Sequence, residues 1–341
     1  MIDATTTPPD RIATCAPITT QSPADTVVPV DPALRKVDKA MATSANPDGR
    51  QLIAALPTPF DADGALDTTS VRAVCELTAA SLADGAFVGG TTGEFLALER
   101  SERLALFEAA KDGLGDKRLI AHIGAGSARQ AIAIAKDAAA LGVTEFALLT
   151  PLYLASPPDA TVRFYEEVSA TLPHESRLYA YLFRERTTTE VSVDTLRRIA
   201  AVSPVVGVKI SGESLRTCQE YKAGLGPAFE VFTGSDGDYA RVSDAGLTGV
   251  VSGVASCFPE PFDALNRALA GGDPECIAQA DAAVQDAVAV VSGNIARIKT
   301  ALVWRGIGTA VTRQAMDAVP DHVRMELRRV LGASGGRLDA R

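Results

Sequence analysis

The sequence has few of the residues that build metal sites and catalytic triads. It contains three histidines in 341 residues, at positions far apart in the chain (His122, His174 and His322). Its five cysteines are dispersed and include no Cys-x-x-Cys pair, so the sequence indicates neither a zinc site nor a disulfide framework. An odd number of scattered thiols is typical of a reduced, cytoplasmic protein, which is the location we expect.

Positive charge is scarce as well. The chain has 33 Lys and Arg against 42 Asp and Glu, a formal net charge of −9 at pH 7. This balance argues against nucleic acid as a partner. No apolar run approaches the roughly 18 residues of a membrane helix, so we expect no membrane partner. What the chain does contain is 47% hydrophobic residues, enough for a large core.

Residues 1–50 differ in composition and hydrophobic pattern from the rest of the chain. Segments such as Thr5-Thr6-Thr7-Pro8-Pro9 and Asn46-Pro47-Asp48-Gly49 are rich in helix and strand breakers, and apolar periodicity is weak. They predict a flexible extension with one short helix around residues 33–43. The segment has no basic start followed by an apolar stretch, and it contains six Asp, so it resembles neither a secretory signal nor a transit peptide.

From residue 51 onward, short apolar runs alternate with amphipathic helical stretches. The runs begin near Leu52, Ala86, Arg118, Glu145, Arg177, Val205, Phe229 and Thr248. Eight strand–helix units predict an α/β protein with a (β/α)8 TIM barrel over residues 51–270, whose chemistry lies at the carboxyl ends of the strands. Two of the helices are expected over Ser70–Ala83, with Val71 and Leu82 on one face, and from an N-cap at Ser127 to Leu141.

The strand signals stop after Glu260. Helical patterns cover Pro261–Leu269, Glu275–Val291, Asn294–Arg305 and Asp321–Leu331, which is more than an eighth barrel helix requires. We therefore expect residues 271–341 to add a C-terminal helical segment.

Lys209 lies in the run Val205-Val206-Gly207-Val208-Lys209-Ile210, one of the most apolar stretches of the chain. Such a run is typical of a strand buried on both faces of a parallel sheet. Burial disfavours the charged form of an amine, and a neutral amine can attack a carbonyl carbon. A lone lysine at a strand end more often extends to solvent, so the interpretation depends on the residues that accompany it.

Polar residues follow several other strands. Gly89-Gly90-Thr91-Thr92-Gly93-Glu94 comes after the second run, and its glycines and consecutive N–H groups suit an anion. Tyr153 and Tyr181 follow or end the fourth and fifth runs, so in a barrel they lie at the same mouth as Lys209. A Tyr–Thr–Tyr hydrogen-bonded chain can move a proton without a histidine.

Taken together, these motifs resemble the dihydrodipicolinate synthase / N-acetylneuraminate lyase family of class I, Schiff-base-forming pyruvate aldolases. The matching segments are Gly90-Thr91-Thr92-Gly93-Glu94, Thr150-Pro151-Leu152-Tyr153, Tyr181 with Arg186-Thr187, Gly207-Val208-Lys209, Gly234-Ser235-Asp236 and Gly249-Val250-Val251-Ser252. The resemblance extends from about Leu52 to the C-terminal helices.

The resemblance implies a role for each matching residue. Lys209 would form an imine with the keto carbon of pyruvate or another 2-oxo acid, and Tyr181 would relay protons. Thr91 would link Tyr181 to Tyr153, which in many members of the family reaches into a neighbouring subunit. Further residues would bind substrate. Thr92 and the N–H groups around Gly93 would hold the carboxylate of the 2-oxo acid, and the Val251 carbonyl would line the same pocket. Arg186 would bind the carboxylate of an acidic aldehyde.

The resemblance also implies partners. It points to small-molecule 2-oxo acid and aldehyde substrates, no metal or organic cofactor, and a homodimer or homotetramer.

The sequence departs from the synthases on the side of the second substrate. Tyr181-Leu182-Phe183 stands where the synthases carry Tyr-Asn-x-Pro before the arginine, and Ile210-Ser211 replaces their Glu-Ala after the lysine. Three functions therefore stay open: an aldolase or lyase acting on pyruvate and an aldehyde, a 2-keto-3-deoxy sugar acid dehydratase using the same imine, and a barrel that binds a 2-oxo acid without catalysis. A proton relay favours the two enzymes, because binding alone does not need one.

Overall fold

Eight parallel strands close into a barrel, in the order in which they occur along the chain. The computed structural model describes residues 49–336. The strands are β1 (Gln51–Ala55), β2 (Gly85–Val88), β3 (Arg118–His122), β4 (Glu145–Leu149), β5 (Arg177–Leu182), β6 (Val205–Ile210), β7 (Glu230–Thr233) and β8 (Gly249–Ser252). Each predicted apolar run begins within one residue of its strand, which confirms the predicted barrel.

Helices fill the connections between strands. They are α1 (Thr68–Ala79), α2 (Arg100–Leu114), α3 (Ala128–Ala140), α4 (Pro158–Ser169), α5 (Arg184–Thr187), α6 (Val193–Val202), α7 (Leu215–Leu225) and α8 (Pro259–Gly271). The connection from β7 to β8 carries a short 3-10 helix, Asp236–Arg241, in place of an α-helix. The short helix α5 was not predicted, and it carries Arg186 out of β5.

The helix termini follow local capping chemistry. The Ser127 hydroxyl accepts a hydrogen bond from the Gln130 N–H, and Gly142 just beyond α3 has a φ of 79°, as the predicted cap requires. The expected extension of α1 to Ala83 is wrong, because the helix ends at Ala79. Leu82 instead lies in the following turn, where its N–H donates to the Asp263 carboxylate at 2.8 Å.

Strand alternation decides which side chains point into the barrel. On β5, Tyr179 and Tyr181 belong to the inner cluster, whereas Leu178 and Ala180 pack against the helices. On β6, Val208 packs outward among the helices. Because successive side chains of a strand alternate between its faces, Lys209 points inward.

The bottom of the barrel is closed by a network of charged groups. Tyr179 Oη donates to Glu230 at 2.7 Å and accepts from Arg118 at 2.9 Å. Arg118 in turn pairs with Glu145 at 2.6 Å. These contacts lie at the amino-terminal ends of the strands, the end that serves stability in this architecture, so the opposite mouth is left for a site.

Three further helices follow the barrel: α9 (Pro274–Val291), α10 (Ile295–Trp304) and α11 (Asp321–Ala333). Their bounds agree with the predicted helical patterns to within two residues. Lys299 of α10 is buried against Glu94 of the β2–α2 loop, with Nζ 2.5 Å from Oε1, so this segment packs directly on the barrel. The division into domains at residue 270 stays a prediction, and the flexible extension predicted for residues 1–50 lies outside the described residues apart from its last two.

No single helix within residues 49–336 has the length and apolar composition needed to cross a membrane. Helices α9 and α10 reach that length and composition only as a pair, and the chain bends by 113° between them.

Candidate active site

A cavity of about 600 Å³ opens at the carboxyl ends of the strands. Lys209 and Tyr181 both line it, and they are aligned partners on the neighbouring strands β6 and β5. This pairing explains why two residues 28 positions apart share one site: parallel strands in register place their inward side chains side by side.

The Lys209 amine lies against two aromatic rings. The residue is 6% exposed, and Nζ lies 4.3 Å from the ring centroids of both Phe87 and Tyr181. Among the described residues no carboxylate forms a salt bridge with it. Because no salt bridge from residues 49–336 occupies the Lys209 amine, it is available to attack an electrophile that enters the cavity.

The Tyr181 hydroxyl forms a hydrogen bond with the Thr91 hydroxyl at 3.1 Å, and either oxygen can be the donor. This contact joins the end of β5 to the turn after β2, as the sequence predicted for the first half of the relay. The pair lies beside Lys209 on the cavity wall. It therefore provides a hydroxyl group that can carry a proton to or from an intermediate on the amine.

The Thr91–Glu94 turn is held tightly in place. The Glu94 N–H donates to the Thr91 carbonyl at 3.0 Å, and Glu94 itself has a φ of 53°. Thr58 Oγ1 donates to the Gly93 carbonyl at 2.7 Å. A Cβ on Gly93 would lie 3.1 Å from Thr58 Oγ1 and from the Gly89 backbone, so glycine at this position allows the close packing.

Most of the predicted binding residues meet at the cavity. Thr92, Val251 and Arg186 all line it, whereas Gly93 is buried behind the turn and is not part of the wall. Arg186 is exposed, and its guanidinium carbon lies 5.7 Å from the centroid of the Phe183 ring. It contributes to the cavity wall from α5.

Tyr153 does not join the other predicted residues within one chain. Its side chain is 85% exposed, its φ of 76° lies in the left-handed region, and it does not line the cavity. The neighbouring Leu154 is 73% exposed. The expected Tyr–Thr–Tyr chain is therefore present in a single copy only as its Thr91–Tyr181 half.

Asp236 is a cavity residue that belongs to one of the matching segments but was given no role in the sequence analysis. Its Oδ1 accepts hydrogen bonds from the Ser252 hydroxyl at 2.5 Å and from the Val254 N–H at 3.1 Å. Burial raises its pKa above the usual value, while these hydrogen bonds and the charge of Lys209 oppose the rise. Its place three residues after the end of β7 is the signal that was available, because the loops that follow the strands form the mouth of the barrel.

His122 is a second buried group near the site that the sequence did not mark. It is fully buried, and its ring lies 5.8 Å from the Tyr181 ring centroid. Its Nδ1 lies 2.8 Å from the Gly89 carbonyl, which can only accept, so the proton resides on Nδ1. Burial lowers the pKa of His122 well below its ordinary value, and the charges of Arg103 and Lys209 add to the effect.

The C-terminal segment supplies much of the outer wall. Asn294, Ile295 and Ile298 line the cavity from the start of α10, and Gln314 and Met316 line it from the irregular segment between α10 and α11. No local sequence pattern identifies these residues, because they reach the mouth only when the segment folds back on the barrel. Among the described residues, no cluster of His, Cys, Asp or Glu could hold a metal ion.

The model of the dihydrodipicolinate synthetase family matches residues 48–334. An uncharacterised DapA-like lyase of Halobacterium salinarum is 31% identical over 273 residues, which cover 79% of this chain and 89% of the relative. A 4-hydroxy-tetrahydrodipicolinate synthase of Streptomyces coelicolor is 32% identical over 67% of this chain and 73% of its own length.

The fold also resembles that of a solved structure. Dihydrodipicolinate synthase from Aquifex aeolicus superposes with a TM-score of 0.77 at 24% identity, over 85% of this chain and 99% of that one. The chain belongs to the dihydrodipicolinate synthetase family, as the motifs predicted, and this membership supports the predicted lyase class.

Proposed function

We propose that this member of the dihydrodipicolinate synthetase family binds pyruvate or another 2-oxo acid as an imine of Lys209 and makes or breaks a carbon–carbon bond with an aldehyde. The observation that carries the proposal is the buried Lys209 amine on the cavity wall beside the Tyr181–Thr91 hydrogen bond. Such a nucleophile with a hydroxyl relay at its side is what imine chemistry requires.

The reaction follows from the electron demand of the imine. The nitrogen lone pair of the Lys209 amine attacks the keto carbon, and one amine proton moves to the former keto oxygen. That hydroxyl takes up a second proton and leaves as water, which gives an iminium ion. The iminium draws electrons from the adjacent methyl group, which loses a proton and becomes an enamine carbon. That carbon bonds to the aldehyde carbon, whose oxygen takes up a proton, and water then releases the product from Lys209. We assign the transfer of these protons to Tyr181, whose hydroxyl is hydrogen-bonded to that of Thr91.

Binding groups surround the amine on two sides. Thr92 and the turn N–H groups around Gly93 suit the carboxylate of the 2-oxo acid, and the Val251 carbonyl borders the same space. Arg186 at the rim suits an acidic group on the second substrate. The iminium nitrogen itself serves as the electron sink, so the proposed reaction needs neither a metal nor an organic cofactor.

Tyr153 supports assembly of at least two copies, as a homodimer or homotetramer. Its exposed ring adjoins the exposed Leu154, and in this family a tyrosine at the matching position reaches a neighbouring site. A second chain would then supply the second half of the Tyr–Thr–Tyr relay. The buried thiols of Cys75, Cys218 and Cys257 suit a cytoplasmic protein.

The test is to incubate the protein with pyruvate and borohydride and to locate the reduced adduct by peptide mass spectrometry. We expect a mass gain on Lys209 and none in a Lys209→Ala variant. Absence of the adduct on Lys209 would refute the proposal. With a positive result, product analysis by NMR over a panel of aldehydes and 2-keto-3-deoxy sugar acids separates aldol chemistry from loss of water.

A further inference from the structure

A buried ion pair connects the C-terminal segment to the turn that borders the Lys209 amine. Lys299 of α10 is 1% exposed and Glu94 is fully buried, with Nζ 2.5 Å from Oε1. The two residues lie 205 positions apart in the chain. A fully buried pair costs desolvation energy and often stabilises no better than apolar side chains, so its presence calls for another explanation.

The Glu94 carboxylate has a second function in the same place. Its Oε2 accepts hydrogen bonds from the backbone N–H groups of Arg313 and Gln314, each at 2.8 Å. The Lys299 amine also donates to the Val311 carbonyl at 2.8 Å. One carboxylate and one amine therefore fix an irregular segment that has no helix or strand hydrogen bonds of its own to hold it.

Both ends of this network reach the cavity wall. On one side, the N–H of Glu94 closes the turn that carries Thr91 and Thr92. On the other side, Gln314 and Met316 line the cavity directly after the anchored N–H groups. The backbone of Glu94 closes the turn and its carboxylate holds the segment with Gln314, so a shift of this one residue would move both parts of the wall.

Arg313 fixes the segment from a second direction. Its guanidinium pairs with both oxygens of Glu102 at 2.6 and 2.7 Å and donates to the Ala97 carbonyl at 2.9 Å. Its guanidinium carbon lies 4.3 Å from the Phe60 ring centroid, and the Lys299 amine lies 4.1 Å from that centroid. The segment is therefore bound both through its backbone N–H groups, by Glu94, and through the Arg313 side chain, by Glu102.

We propose that Glu94 and Lys299 are positioning residues for the 2-oxo acid: they hold the Thr91–Thr92 turn against the Gln314–Met316 wall so that the substrate carboxylate meets a preformed site. The inference rests on the proposed imine chemistry. Neither residue touches the substrate, so loss of the pair weakens substrate binding more than it slows the step at a saturated Lys209.

The chain offers a matched control pair. Arg305 at the end of α10 pairs with Glu260 of α8 through two hydrogen bonds at 2.9 and 2.6 Å. This pair also ties the C-terminal segment to the barrel, and its arginine side chain is 5% exposed. Neither of its residues lines the cavity. Glu260→Gln therefore measures how the loss of an ion pair between the C-terminal segment and the barrel affects pyruvate binding when the Thr91–Glu94 turn is unchanged.

The experiment measures borohydride trapping of pyruvate against pyruvate concentration in the full-length parent, Glu94→Gln, Glu94→Asp and Glu260→Gln, together with thermal unfolding midpoints. Relative to Glu260→Gln, we expect Glu94→Gln to raise the half-saturating pyruvate concentration about tenfold, the effect of losing roughly one charge-assisted hydrogen bond. The trapping rate at saturation should stay within about threefold. Glu94→Asp keeps the charge but shortens the reach, and it should fall between the parent and Glu94→Gln.

Equal half-saturating pyruvate concentrations for Glu94→Gln and Glu260→Gln would overturn the inference, and the Glu94–Lys299 pair would then be a purely structural contact. Trapping of pyruvate in the parent would still support the proposed function. If Glu94→Gln does not fold, the Glu94→Asp variant decides by the same comparison, and a half-saturating concentration equal to that of the parent overturns the inference. A parent that is not trapped at all would refute the proposed function and this inference with it.

Discussion

Acidification is expected to destabilise the folded chain through His122. The imidazole is fully buried at the end of β3, with its rim against the rings of Phe95 and Tyr181 at centroid distances of 4.7 and 5.8 Å. Its Nδ1–H donates to the Gly89 carbonyl, and its Nε2 is buried without a hydrogen-bond partner among the described residues. A second proton on Nε2 would thus be an unpaired donor in an apolar space.

Neighbouring cations make that proton still less favourable. The guanidinium of Arg103 donates to the backbone carbonyls of both His122 and Gly124, and the charge of Lys209 also acts on the imidazole. Burial, the first and largest cause, together with these two charges lowers the pKa of His122 well below its ordinary value of 6.5. The folded chain therefore keeps His122 neutral at a pH where the unfolded chain protonates it.

The size of the effect follows from proton linkage. Because the unfolded state binds one more proton than the folded state below about pH 6.5, stability falls by about 1.4 kcal/mol for each further pH unit. The contribution is fully present above the unfolded pKa and is lost as the pH falls. Between pH 7 and pH 5 the free energy of unfolding should drop by about 2 kcal/mol from this residue alone.

Urea unfolding at fixed protein concentration, followed by circular dichroism at several pH values from 7 to 5, measures this slope. In His122→Gln, whose amide can still donate to Gly89, the slope should be shallower by about 2 kcal/mol over the range, whatever its absolute stability. His174→Gln is the control, because the His174 side chain is exposed. Identical slopes for the parent and His122→Gln would refute the reasoning.

Three substitutions test other contacts of the site. Thr91→Val removes the hydroxyl that bonds Tyr181 and should slow pyruvate trapping roughly 10²-fold, the low end for a positioned proton-transfer group; an unchanged rate would remove Thr91 from the relay. Arg186→Ala should raise the KM for an acidic aldehyde about tenfold without changing pyruvate trapping, whereas Arg184→Ala, whose side chain pairs with Glu190, should change neither. Gly124→Ala would place a Cβ 2.6 Å from His122 Nε2 and should cost about 1–3 kcal/mol of stability by overpacking, read from the urea midpoint; a stability equal to the parent would show that the His122 ring can move aside.

The parts of the molecule that could be predicted from sequence are those encoded within short segments. Each strand of the barrel is buried on both faces and so appears as an apolar run, which is why its start could be placed to within one residue. Lys209 was recognised because a charged group in such a run is unusual, and Thr91 because it belongs to a Gly/Thr-rich loop after the second run that matches the family motif. Their meeting at one cavity then follows from the closed parallel sheet, since all strand ends of that polarity share one mouth.

The remaining site residues depend on contacts between distant segments. Gln314 reaches the cavity because Glu94, 220 positions earlier, accepts a hydrogen bond from its N–H, and nothing in the local sequence around either residue indicates this. His122 looked like an isolated histidine, and its neutral state results from burial that only the folded chain creates. The proposed place of Tyr153 in a relay similarly depends on a second copy of the chain.

The contrast between residues encoded in short segments and residues brought in by distant contacts explains why the 2-oxo acid is easier to infer than the aldehyde. The wall near Lys209 is built from strand ends and the Thr91–Glu94 turn, whose geometry the barrel dictates. The wall that we propose meets the second substrate comes from the β5–α5 junction and the C-terminal segment, where Phe183, Arg186 and Asn294 line the mouth. Changes in that outer wall can alter the aldehyde without disturbing the imine, because no strand pairing depends on it. Substitutions at Phe183 should therefore change substrate choice before they change the trapping of pyruvate on Lys209.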